Sequence, residues 1–254
     1  MSLIYNHSLK NFSKNKKKIF FRDINYEEFS GSDCVKNINR IEIFLKKNDI
    51  KNLAIISKNT INWPLWYIAA DNCCSNIFII NPEFNYKIIS NIIKKNKIQL
   101  IVRNLNLNNS SISSNRIIKY KNLNYSEIKD RNDIIFTSGT TNDPKGVIVH
   151  ESAFIFVANT LIKKFNMSNN ENELLTMPFF HSFGLTRLRC ILLSGSRSII
   201  SDGLKSFPEI FKISREYRIT GLSLVPAGII IIKNLLRKKI TEFSKNIKYF
   251  EIGS

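Results

Sequence analysis

Short apolar runs recurring between amphipathic stretches constrain this chain more than any other feature. "KIFFRD" (18–23), "NLAIIS" (52–57), "NIFIINP" (76–82) and "IQLIVR" (98–103) each read as a strand. Between them lie helical patterns. Phe29, Val35, Ile38, Ile41 and Leu45 share one spacing within 26–48, and Trp63, Trp66, Tyr67 and Ala70 fall at i, i+3, i+4 and i+7, with Asn59 and Thr60 ahead of them as caps. A third helix is expected at 86–96. Strands alternating with helices at this pitch predict βαβ units, a mostly parallel sheet and an α/β fold.

The rhythm breaks at 104–133, which is rich in Asn and Ser and reads as a polar linker. It divides a first βα subdomain (1–103) from a second (134–254). In the second, strands are expected at 134–137, 146–149, 173–177, 197–201, 219–225 and 247–252. Helices are expected at 152–164, from 182 to Gly195, at 207–217 and at 227–238.

Composition narrows the classes. With 43% apolar and 23% charged residues, the 254-residue chain is of ordinary globular type. Its net charge of +18 invites a nucleic-acid or anionic-membrane partner. The cations are instead spread among Ile and Asn, residues that share AT-rich codons with Lys. No binding motif or aromatic interleaving accompanies "KNKKK" (14–18), so no nucleic-acid partner is expected. Cys34, Cys73, Cys74 and Cys190 form no metal-ligand spacing, which points to reduced thiols, a cytoplasmic location and no protein-held metal. The longest apolar run, near 228–232, is far too short for a transmembrane segment.

Only nine glycines serve the chain, yet two fall within "IIFTSGTTNDPKGVIVH" (134–150). Glycine, hydroxyls and a lysine directly after a strand suit a loop that wraps phosphate oxygens. The order Pro144-Lys145-Gly146 fails the pattern of a phosphate-binding nucleotide hydrolase. "TSGTTNDPKGV" (137–147) instead resembles the signature loop of the adenylate-forming superfamily, which comprises acyl- and aryl-CoA ligases, luciferases and peptide-synthetase adenylation domains. Its one departure is Asn142 in place of the middle glycine, and asparagine tolerates a left-handed backbone best among the other residues.

Further segments fit the same family. "MPFFHSFGL" (177–185) is similar to its Pro-x-Phe-His-x-x-Gly segment, and "ITGLSLVPAG" (219–228) and "IKYFEIGS" (247–254) resemble the two that follow. The resemblance implies stacked βα subdomains of the family's N-terminal domain, and an incomplete one, since the segment holding adenine would come after Ser254. Thr137, Ser138, Gly139, Thr140 and Thr141 would then wrap ATP phosphates, with Lys145 neutralising them. Gly253 and Ser254 would open the adenine loop. Phe180, His181 and Gly184 would line the carboxylate pocket, and His181 with Lys145 would be the catalytic pair. The implied cofactors are ATP, Mg²⁺ arriving with ATP, and CoA or a phosphopantetheine carrier as acceptor. The implied substrate is a small carboxylic acid, fatty or aryl. Two readings stay open: a working ligase completed by a C-terminal half in cis or trans, or a non-catalytic remnant that binds nucleotide phosphates weakly.

Overall fold

The computed structural model describes residues 2–103, 105–107, 112, 115–119, 131–137 and 144–253. Two six-stranded sheets organise it. One is ordered β6-β5-β3-β4-β7-β8, built from β3 (Asn52–Ile55), β4 (Asn76–Ile79), β5 (Leu100–Val102), β6 (Arg116–Ile117), β7 (Asn132–Thr137) and β8 (Lys145–His150). The other is ordered β12-β11-β9-β10-β1-β2, built from β1 (Ile19–Asp23), β2 (Glu28–Ser30), β9 (Asn172–Leu175), β10 (Arg197–Ile200), β11 (Gly221–Leu224) and β12 (Tyr249–Ile252). Pairing is parallel except for β1–β2, β5–β6 and β7–β8. The α/β class and the predominantly parallel sheets thus match the alternation seen in the sequence.

Each sheet takes strands from both before and after the stretch 104–133. Phe21 of β1 registers with Ser198 of β10, while Ile77 of β4 registers with Asp133 of β7. The N-terminal β1–β2 hairpin therefore completes the later sheet, and the β7–β8 hairpin extends the earlier one. Apolar periodicity identifies a strand but not its neighbour, and the two sheets interleave in sequence.

Helices α1 (Leu3–Lys14), α2 (Gly31–Lys47), α3 (Trp63–Cys73), α5 (Glu151–Lys164) and α6 (Ser182–Ser194) contribute to one core shared by both sheets. Helix α4 (Tyr86–Lys95) covers the outer face of the first sheet. Helices α7 (Phe207–Glu216), α8 (Pro226–Leu236) and α9 (Ile240–Ser244) cover that of the second. The strands show why these cores are distinct. Leu53 and Ile55 enter the shared core while Ala54 and Ile56 face α4, and Ile77 and Ile79 alternate with Phe78 and Ile80 in the same way. A strand covered on both faces reads as a continuous apolar run because both alternating sets are buried.

The helix expected from residue 26 begins at Gly31. Ser30 and Asp33 form a capping box, Asp33 N–H donating to Ser30 Oγ and Ser30 N–H to Asp33 Oδ2. Phe29 lies in β2 instead. Helix α1 was not expected from the sequence; it buries Ile4, Ser8 and Phe12, with Tyr5 and Leu9 packed beside them, and the polar Ser8 interrupts the apolar spacing.

Connectivity then fixes where a ligand can lie. From β3 the chain moves to β4 on one side, and from β4 it crosses back past β3 to β5. From β9 it moves to β10, and from β10 it crosses back past β9 to β11. Each reversal opens a crevice outside the strand's carboxyl end, where open α/β sheets bind ligands. The segments that emerge there are 56–62 and 176–181.

Candidate active site

Thr137 and Lys145 are the facing ends of the β7–β8 ladder, in register with each other, and Thr137 Oγ1 lies 3.5 Å from the Lys145 carbonyl. Both are exposed. The hairpin therefore presents Lys145 at the carboxyl end of β7. Ser138, Gly139, Thr140, Thr141, Asn142 and Asp143, like Ser254, lie outside the described residues.

The second segment is held closely. After β9 a turn forms in which His181 N–H donates to the Pro178 carbonyl at 3.1 Å. The His181 carbonyl then accepts from Leu185 N–H at 3.0 Å, making His181 the N-cap of α6. Phe179 is buried, its ring 5.2 Å from that of Trp63. Phe180 is buried beside the His181 ring, 4.7 Å between centroids. Gly184 has no room for a side chain, since a Cβ would stand 2.3 Å from the Pro178 carbonyl oxygen and 2.6 Å from that of Met177. Backbone atoms cannot yield as a flexible side chain can.

His181 itself is exposed at its edge. Partial burial nevertheless holds its pKa below the ordinary imidazole value, against the opposing pull of Glu83. Glu83 also meets the Lys58 ammonium at 3.7 Å, and Lys58 reaches Asp202 at the same distance. The imidazole is thus neutral near pH 7, with one nitrogen able to donate and the other to accept.

Gly253 belongs to the same neighbourhood. Its N–H donates to the Leu224 carbonyl at 3.1 Å, extending the β11–β12 pairing. A Cβ there would come within 2.9 Å of the Phe183 ring. Phe183 of the histidine segment therefore packs on the backbone of Gly253, joining two segments that are 70 residues apart in sequence.

Three polar features around this site go beyond the motifs of the sequence. Asn59, expected as a helix cap, instead bonds the histidine segment; Asn62 holds the N-cap position of α3 with no side-chain bond. Beneath α6, fully buried Arg187 grips Glu173 with two bonds of 2.8 and 2.6 Å and Glu251 with one of 3.0 Å. Tyr249 donates to Glu173 at 2.8 Å, and burial followed by the Glu173 charge drives its pKa up. A second buried group joins Arg131 to Asp71 and Asp133, and Asp133 also pairs with Arg189 and accepts from the Tyr67 hydroxyl. One signal for both was available: two arginines inside the apolar pattern "LTRLRCILL", and acids inside "NELL" and "YFEI". Buried charges of this kind need buried partners.

Comparison with known proteins agrees with this architecture. The family model described as "AMP-binding enzyme" matches residues 10–253. The chain belongs to that family. A probable CoA ligase of Humulus lupulus, CCL5, is 30% identical over 108 residues, covering 42% of this chain and 20% of that protein. Only about a fifth of this relative's length is therefore matched. Among solved structures, the N-terminal domain of FACL13 from Mycobacterium tuberculosis superposes with a TM-score of 0.80 at 16% identity, covering 100% of this chain and 70% of that one. ATP-bound MatB from Rhodopseudomonas palustris gives 0.77 at 15% identity, covering 98% and 55%. At these identities the structural likeness establishes a shared fold.

Among the described residues no group of three His, Cys, Asp or Glu side chains is arranged to hold a metal ion, and no helix is long and apolar enough to cross a membrane.

Proposed function

We propose that this chain is the acid- and ATP-binding part of an AMP-forming acid–thiol ligase. The observation that carries the reading is the packing of Phe183, from the histidine segment after β9, on Gly253 at the carboxyl end of β12. Two segments that the family resemblance ties to acid and adenine thereby share one rim, outside the strand ends where such sheets bind ligands.

In the proposed first step a carboxylate oxygen attacks the α-phosphorus of ATP and the bond to the bridging oxygen breaks, so pyrophosphate leaves. In the second a thiol attacks the acyl carbonyl and AMP leaves. Lys145, with Thr137 and the hydroxyls and amides of 138–141, would stabilise charge on the departing pyrophosphate. Mg²⁺ would enter with the ATP phosphates and neutralise part of their charge. Neutral His181 would donate one hydrogen bond to the acid while Phe180 and Gly184 shape the apolar wall. Gly253 and Ser254 would support adenine. The thiol is CoA or a carrier phosphopantetheine, and the acid is fatty or aryl. The cysteines are all free thiols, which suits the cytoplasm.

A contrast of two variants of the full natural polypeptide tests the assignment. His181→Ala should raise acid KM and leave ATP KM unchanged, whereas Lys145→Ala should slow adenylate formation by about 10²-fold. An effect of His181→Ala confined to ATP would refute the pocket role.

A further inference from the structure

We infer that Asn59 is a positioning residue for the acid-binding segment, a clasp by which the first sheet sets the backbone that carries Phe180 and His181. The inference rests on the pocket role proposed for that segment. Its warrant is a hydrogen-bond pattern at the point where β9 and β10 part.

The parallel ladder between these strands ends with Ser201 N–H donating to the Leu175 carbonyl at 3.0 Å. Beyond it the chain after β9 turns toward α6, and the carbonyls of Met177 and Ser201 face no further strand. Asn59 Nδ2 supplies both missing partners, donating to Met177 O at 2.9 Å and to Ser201 O at 3.1 Å. Its Oδ1 accepts from Phe179 N–H at 2.8 Å. One side chain thus replaces a rung of the sheet, using both donors and its acceptor. Asparagine fits this task and its isosteres do not. Aspartate has no hydrogen to give either carbonyl, and leucine none to give or accept.

Asn59 comes from the other sheet, in the segment that leaves β3. The clasp therefore joins the reversal point of one sheet to that of the other. It is buried, so water cannot substitute for it readily. With the backbone at 177–179 fixed and Phe179 locked against Trp63, the chain has little freedom left before His181. A peptide held this way keeps the imidazole in one place; released, it can drift by an ångström, which is enough to cost roughly 10²-fold in a positioned reaction.

The test is Asn59→Asp in the full natural polypeptide, with Asn59→Ser as a second variant should the first fail to fold. Circular dichroism and a cooperative thermal melt establish folding. The imidazole resonance of His181, assigned by its loss in His181→Ala, reports the position of the ring without requiring turnover. Acid KM and ATP KM report the consequence. A folded variant should show a moved His181 resonance and an acid KM raised at least about tenfold, with ATP KM held within about twofold. Gln in place of Asn59 should restore neither, being a methylene too long. An unmoved His181 resonance in a folded variant overturns the clasp. A moved resonance with acid KM and ATP KM raised together overturns the positioning role. Should the unaltered protein turn over no acid while the variant still moves the resonance, the clasp stands and the ligase reading fails.

Discussion

Arg187 offers the most direct physical test of the fold. The side chain is fully buried and donates three hydrogen bonds to two carboxylates. Methionine in its place keeps much of the volume but leaves Glu173, itself fully buried, with the Tyr249 and Ser223 hydroxyls as its partners among the described residues. Removing one partner of such a pair costs about 3–5 kcal/mol, because an unpaired charge remains in the interior. For a protein of this size each kcal/mol moves Tm by roughly 2–4 °C, so Arg187→Met should melt about 6–20 °C lower. Glu173→Gln in the same background removes the orphan charge and keeps its neighbours bonded. The double variant should recover part of the loss, with a coupling of about 1–3 kcal/mol in a double-mutant cycle. Thermal and urea unfolding of the four proteins would measure it. If each single change costs under about 1 kcal/mol and the two simply add, the cluster does not hold α6 to β9 and β12, and the reasoning fails.

Other expectations follow from the geometry. Gly184→Ala places a Cβ against two backbone carbonyls and should cost about 1–3 kcal/mol of stability, read by urea unfolding. Ser30→Ala removes the capping box of α2 and should cost about 1 kcal/mol in the same assay. The His181 imidazole should titrate below 6.5 in an NMR series. Its folded pKa is lowered, so the unfolded chain binds more protons between the two values. Stability from this group should then rise with pH through the window under 6.5 and be lost as pH falls through it.

Much of the scaffold was legible because buried parallel strands are continuous apolar runs and their helices carry the 3.6 period. β3, β4 and α4 lie within a few residues of their predicted bounds for that reason. Pairing was not legible. Nothing in "KIFFRD" says that it joins a strand from residue 197 onward, since partners are chosen by the packing of the whole. Asn59 looks in the sequence like any asparagine before a helix, and its three bonds reach residues more than 100 positions away. The histidine segment was visible through its spacing around Pro178 and Gly184. The reason for the glycine, a carbonyl pressed against its α-carbon, appears only in three dimensions.

Acid-dependent exchange of pyrophosphate into ATP, run on the full natural polypeptide with a panel of fatty and aryl acids, separates an acid-activating ligase from a protein that merely binds nucleotide. Exchange should require one of these acids and fall by about 10²-fold in Lys145→Ala. A folded protein that binds ATP but exchanges with no acid, or whose exchange is indifferent to Lys145, would contradict the ligase reading.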